Sequence, residues 1–292
     1  MKMKTLISTD TSCQLNYETL KKYDISVFAL NVIVDGEEFL DGITIDQDAL
    51  CSAMRSGKNI KTSTPPLGQI IEYFEGLFAK GYDRIIHFTI SSKLSSMYDL
   101  FSNVASQNFP GKLFVVDSYA ISSVMFSHVM YAYEEVSRGT DIEVILKNLE
   151  NRKLDNSVVF IPENLTALKR GGRVSPAMAL IGNALGIKPI IVFKDGALEK
   201  DGTTKHVKKT MVESLQNFKN NYSTDEYDCT IVHFDAKPDV VDYVYSSATE
   251  IFGEGNFIKG MVPINVCAHC GPGTIGIFIS RKINGKSIRE FI

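Results

Sequence analysis

The side chains of this chain that could do chemistry sit in five polar segments, and the chemistry they suit is hydrogen bonding to an anion. Asp10-Thr11-Ser12 sets a carboxylate beside two hydroxyls. Lys61-Thr62-Ser63-Thr64-Pro65-Pro66 places three hydroxyls just ahead of prolines. Ile90-Ser91-Ser92-Lys93-Leu94-Ser95-Ser96 carries four serines. Lys169-Arg170-Gly171-Gly172-Arg173-Val174-Ser175 puts Arg173 after two glycines that free the backbone. His269-Cys270-Gly271-Pro272-Gly273-Thr274 sets an imidazole against a rigid Gly-Pro-Gly turn. Hydroxyls at helix starts can satisfy a carboxylate or phosphate beside free N–H groups and a positive dipole end. Arginine adds a planar fork of donors for the same groups.

Each segment also has a plainer reading. Asp10, Ser63 or Thr64 can be an ordinary helix N-cap. Gly171 can close a helix beside solvated arginines. A lone histidine is more often structural than functional. One cap needs one serine, so four between Ile90 and Ser96 suggest a polar cradle.

The elements that would position these segments follow from periodicity. Thr5 to Thr9, Arg84 to Ile90 and Leu113 to Val116 read as strands. Ile70, Tyr73, Phe74, Leu77 and Phe78 form one helical stripe, and Met97, Leu100, Phe101, Val104 and Ala105 form another. A further helix spans about Ser122 to Val136. Strands separated by helices predict a parallel α/β domain over residues 1–155. In such sheets ligands sit beyond the carboxyl ends of strands, where several of the polar segments fall. The second half, residues 156–292, predicts an α+β domain with a mixed or antiparallel sheet. It has a strand at Val158 to Ile161, a helix started by Ser175-Pro176, and a hairpin turning at Lys194-Asp195-Gly196. Helices are expected near Val207 to Phe218 and Val240 to Ile251. Strands are expected near Thr230 to Phe234, Phe257 to Val266 and Thr274 to Ser280. The boundary is placed in the polar stretch 150–157.

Composition narrows the function. The chain has 292 residues, 31 basic and 34 acidic, for a net charge of −3, and 44% are hydrophobic. This balance argues against a nucleic-acid or polybasic membrane partner. The N-terminal apolar run is too short for a signal peptide, and no segment approaches the ~20 apolar residues of a membrane span. A cytoplasmic location without stable membrane insertion is the expectation. The five scattered cysteines read as reduced thiols. Cys267-Ala-His-Cys270 offers two thiolates and an imidazole, but a structural zinc site normally takes four ligands, so no metal is expected. The chain has no G-x-S-x-G elbow, no phosphate loop of the G-x-x-x-x-G-K-[ST] type and no G-x-G-x-x-G. It therefore does not look equipped to bind ATP by itself.

Seven segments in order resemble the DegV family of bacterial fatty-acid-binding proteins. They are Ser8-Thr-Asp-Thr-Ser12, Lys61-Thr-Ser-Thr-Pro65, Ile90-Ser-Ser-Lys-Leu-Ser-Ser96, Val115-Val-Asp-Ser118, Leu168-Lys-Arg-Gly-Gly-Arg-Val-Ser175, Ile187-Lys-Pro-Ile190 and His269-Cys-Gly-Pro-Gly273. The resemblance runs nearly end to end. It implies an N-terminal Rossmann-like α/β domain joined to a C-terminal α+β domain with a fatty acid between them, its carboxylate held by Thr62 and Ser95, with Arg173 and His269 alongside. Ser63, Ser91, Ser92, Asp10 and Gly271 would support that site. It also implies that the acid is delivered to a separate ATP-dependent fatty acid kinase, which makes an acyl phosphate for phospholipid synthesis. The chain departs from the family pattern at Ser96, which replaces a glycine, at Thr64-Pro65-Pro66 and at Cys13. These changes bear on acyl-chain preference.

The physics of such a ligand sets requirements. A buried carboxylate is costly unless hydrogen-bonded. Roughly 14 methylenes at about 0.8 kcal/mol each supply about 11 kcal/mol gross, of which association and ordering take back several. The chamber must therefore be closed and apolar. A non-catalytic carrier with no cofactor is the preferred class. The alternatives are a serine hydrolase or acyltransferase, which needs Ser95 within hydrogen-bond reach of His269, and a lipid-responsive regulator.

Overall fold

The computed structural model describes residues 3–13, 18–174 and 186–292. The helix expected to start at Ser175-Pro176 lies outside these residues.

Four short strands open the chain: β1 (Thr5–Asp10), β2 (Ile25–Phe28), β3 (Asn31–Val34) and β4 (Glu37–Leu40). Helix α1 (Gln47–Arg55) follows, its first turn capped by the Asp46 carboxylate, which accepts from Ala49 N at 2.8 Å. Then come β5 (Ile60–Ser63), α2 (Leu67–Ala79), β6 (Arg84–Thr89), α3 (Met97–Asn108), β7 (Leu113–Asp117), α4 (Ser122–Arg138) and α5 (Ile142–Arg152). The expected stripes bury Ile70, Phe74 and Leu77 on α2 and Met97, Phe101, Val104 and Ala105 on α3. β2-β1-β6-β7 form a four-stranded sheet, parallel throughout. β4-β3-β5 form a separate antiparallel sheet of three strands.

The second half contains β8 (Asn156–Ile161), α6 (Thr166–Arg170), β9 (Lys188–Lys194), β10 (Ala197–Thr204), α7 (Val207–Asn221), β11 (Tyr227–Phe234), α8 (Pro238–Phe252), β12 (Ile258–Met261), α9 (Ile264–Cys270) and β13 (Thr274–Arg281). Its six-stranded mixed sheet has the order β10-β9-β8-β13-β11-β12. The expected hairpin joins β9 to β10, with Asp195 and Gly196 both at positive φ.

Two sequence expectations need correction. The strand expected over Phe257 to Val266 stops at Met261, and the chain enters α9 instead, with Pro263 as N-cap and Gly271 at φ 78° closing it. Neither Ser63 nor Thr64 caps α2, whose N-cap is Pro66 with no side-chain bond. Thr62 lies on β5, paired to Val32, rather than at a helix start.

The six-stranded sheet separates two apolar cores. Val159 and Ile161 of β8 and Ile275, Ile277 and Ile279 of β13 face α7 and α8. Alternate residues, Val158 and Phe160 of β8 and Phe278 of β13, face the other way. There they join the large core that also holds α2, α3 and α4. The cavity lined by Phe160 and Phe278 lies on this second face.

Candidate functional site

The parallel sheet gathers its polar ends as open α/β sheets do. Asp10 ends β1 with no exposure, and its carboxylate accepts from Ser12 N and Ile90 N, each at 2.8 Å. It thus ties the end of β1 to the serine loop that follows β6. Burial raises its pKa to about 6, against the two backbone donors that favour the charged form. At the end of β7, the Asp117 carboxylate accepts from Ser92 N and Tyr119 N at 3.1 Å.

The four serines divide their work. Ser91 Oγ donates to Gly196 O at 2.6 Å, holding the β9–β10 hairpin tip against the loop. Ser92 is placed through its backbone. Ser96 is the N-cap residue of α3 but makes no side-chain cap bond. Only Ser95 of the four lines the cavity. The cradle expected of all four is therefore one lining hydroxyl on a braced loop.

That cavity encloses about 980 Å³ of atom-free space, its mouth included. Thr62, Ser63, Ser95, Arg173 and His269 line its polar part. Leu30, Ile90, Leu94, Met97 and Ile121 supply apolar wall from the first half, and Phe160, Leu198, Val232, Val262 and Phe278 from the second. Asp10, Ser91, Ser92 and Gly271 stand behind this lining. Gly271 closes α9, and its carbonyl accepts from Thr274 Oγ1 at 2.8 Å.

Thr62 and His269, 207 positions apart, meet with Oγ1 and Nε2 at 2.9 Å. Burial, with Arg173 second, lowers the His269 pKa to about 4, so the imidazole is neutral near pH 7. Among the described residues, its buried Nδ1 has no hydrogen-bond partner. A buried N–H left unpaired is rarer than an unpaired acceptor, so the favoured tautomer carries its proton on Nε2 and donates to Thr62. The Thr62 hydroxyl proton is then free to donate into the cavity. Gly171 makes this placement possible, because a Cβ there would lie 2.1 Å from His269 Nδ1. Arg173 donates through Nε to Leu94 O at 2.9 Å and through Nη1 to Gly171 O. It braces the loop after α6 against the serine loop, and its lowered pKa reflects burial.

Ser95 Oγ and His269 make no hydrogen bond, and His269 Nε2 is engaged by Thr62. The nucleophile–base pair that a serine hydrolase requires is not assembled. Among the described residues, no group of three or more His, Cys, Asp or Glu converges on a metal position. All five cysteines are free thiols, and burial raises the pKa of Cys13 and Cys267. No helix among the described residues is long and apolar enough to cross a membrane.

Sequence reasoning missed Asn265, which lines the cavity from α9. Its Nδ2 donates to Ser12 Oγ at 2.6 Å and its N–H to Asp41 Oδ2 at 3.0 Å, while Oδ1 is buried without a partner. The signal for its helix was present, with Pro263 before it and Gly271 after it.

Fold and cavity define a three-sheet α/β protein with a largely apolar cavity into whose lining Thr62 and His269 bring a hydroxyl and an imidazole. The family model described as "Uncharacterised protein, DegV family" matches residues 4–282, and the chain belongs to the DegV family. It is similar to a DegV domain-containing protein of Staphylococcus aureus, 29% identical over 284 residues, covering 96% of this chain and 99% of that one. A solved structure described as fatty acid binding of a DegV family protein from Thermus thermophilus superposes with a TM-score of 0.84 at 26% identity, covering 96% of this chain and 100% of that one. A DegV family structure from Streptococcus agalactiae shares the fold at a TM-score of 0.86 and 22% identity, covering 96% and 99%.

Proposed function

We propose that this chain binds one long-chain fatty acid, with its carboxylate at Thr62 and Ser95 and its tail in the apolar chamber, and presents it to a separate ATP-dependent fatty acid kinase. The observation that carries this reading is the lining of one cavity, which brings hydroxyls, a neutral imidazole and a guanidinium together with apolar side chains from both halves of the chain. The Thr62 hydroxyl, held by His269, supplies a directed donor without adding charge. Arg173 supplies positive charge beside the headgroup while bracing the loop around it. In the coupled reaction, Arg173 steadies the developing acyl-phosphate charge and His269 keeps Thr62 oriented. The Thermus thermophilus relative described as fatty-acid binding supports the ligand class. The kinase rests on the motif resemblance alone. The missing Ser95–His269 contact favours a carrier over a hydrolase.

The test is native mass spectrometry of freshly purified protein, followed by palmitate binding to delipidated wild type, Thr62→Val and Ser95→Ala. One fatty-acid mass per chain is expected, with affinity falling about tenfold in Thr62→Val, the loss of one hydrogen bond to a charged group. No bound acid and no micromolar binding would end this reading. Acyl phosphate formed from ATP by an added kinase only when this chain is present tests the coupling, and full turnover in Arg173→Ala would remove the role given to Arg173.

A further inference from the structure

We infer that Phe278 is the stop that limits how far an acyl chain can run along the six-stranded sheet, and so sets chain-length selection. This rests on the fatty-acid reading above. β13 runs away from the headgroup as a ruler. Thr274, at its start, donates through Oγ1 to the carbonyls of Cys270 and Gly271, directly beside His269. Thr274, Gly276 and Phe278 then face the cavity in turn, while Ile275, Ile277 and Ile279 belong to the opposite core.

The cross-strand rows show where the chamber ends. Gly276 pairs with Phe160 on β8 and Val232 on β11, and all three line the cavity. This row is crowded: a Cβ on Gly276 would lie 2.9 Å from Phe160 Cβ and 3.4 Å from the Phe278 ring, which reaches back over it. The next row is Val158, Phe278 and Thr230. Only Phe278 of that row touches the cavity; Val158 and Thr230 are buried behind it. Among the described residues, the buried Thr230 hydroxyl there has no hydrogen-bond partner. The aromatic ring therefore closes the chamber in this direction.

Two residues of strand from Thr274 to Gly276, over which the Phe278 ring lies, span about 7 Å. An extended hydrocarbon zigzag advances about 1.25 Å per carbon, so roughly five carbons fit before the ring. A longer chain must turn from the sheet toward the opposite wall, where Met97 and Ile121 lie. Shrinking residue 278 removes the need to turn. Adding bulk at Val232, one row nearer the headgroup, shortens the run.

The experiment is competition for delipidated protein among equimolar saturated acids of about 12 to 20 carbons, read by mass spectrometry. Phe278→Ala is expected to raise the bound ratio of 18-carbon to 14-carbon acid by tenfold or more, given the transfer free energy of the added methylenes. Phe278→Leu raises it less and serves if the alanine variant does not fold. Val232→Phe lowers the ratio. Unchanged ratios in Phe278→Leu and Val232→Phe, with acids still bound, would overturn the role of Phe278. Wild type that binds none of the acids would instead overturn the ligand reading itself.

Discussion

Replacing Gly171 with alanine tests the site at its tightest contact. Gly171 has φ −73°, an ordinary helical value that any residue adopts. On backbone grounds alone, alanine there would stabilise the fold by about 0.4–1 kcal/mol through the unfolded chain. The structure reverses that sign, because the new methyl would sit 2.1 Å from His269 Nδ1 and 2.9 Å from its Cε1. Overpacking of this kind costs about 1–3 kcal/mol. If the imidazole swings away instead, its hydrogen bond to Thr62 is lost, worth about 1 kcal/mol. Gly171→Ala is therefore expected to lower stability by about 1–3 kcal/mol, to weaken palmitate binding, or both. The double-mutant cycle with His269→Ala isolates the cause. In that background the collision is gone, and Gly171→Ala should become neutral or stabilising, a coupling of about 2 kcal/mol. Urea unfolding of delipidated protein and palmitate titration supply the two readouts. A Gly171→Ala single variant more stable than wild type, with unchanged affinity, would refute the placement of His269.

Two further outcomes follow from neighbouring groups. Burial lowers the His269 pKa from 6.5 to about 4, so its contribution to stability is complete above pH 6.5 and is lost as pH falls toward 4. Its imidazole should stay neutral at pH 5.5 by NMR, and His269→Gln should lose less stability than wild type between pH 6.5 and 4. Asp10, raised to about 6, acts with the opposite sign in part of that window, so the difference between the two proteins is the quantity to compare. Gly196 sits at φ 78° with a Cβ position 2.9 Å from Ser91 Oγ and Tyr119 Cδ1. Gly196→Ala should destabilise by about 1–3 kcal/mol in urea unfolding, from strain and collision together. Ser91→Ala should cost about 1 kcal/mol without changing palmitate affinity, whereas an affinity loss at unchanged stability would return Ser91 to the headgroup.

Much of the architecture was legible because it is local. The stripes Ile70/Phe74/Leu77 and Met97/Phe101/Val104 signal helices by spacing alone, and Lys194-Asp195-Gly196 signals a hairpin by turn chemistry. The three-stranded sheet was not legible. Its strands are four residues each, too short to show alternation, and exist through pairings such as Val32 with Thr62 across 30 positions. Helix α9 was missed for another reason: the strand expected from Phe257 was carried on to Val266, past Pro263, the residue that starts the helix. That error mattered, since the helix presents both Asn265 and His269.

The site was legible as a set of residue types but not as a set of roles, and the reason is physical. Hydroxyls, an arginine and a histidine announce hydrogen-bonding capacity wherever they occur; what each satisfies depends on which distant backbone comes near. Ser91 was indistinguishable from Ser95 in sequence, yet one meets Gly196 O across 105 positions and the other lines the chamber. Arg173 advertised a carboxylate partner, and it spends Nε on Leu94 O, 79 positions away. These contacts, with Thr62–His269, join the first half of the chain to the second at the polar part of the cavity. The same bonds that shape the proposed headgroup site therefore also hold the two halves together around it. A variant that loosens one of them should disturb ligand affinity and the stability of that junction together, whereas changes at Phe278, buried along the sheet, should alter selectivity while leaving those cross-chain bonds intact.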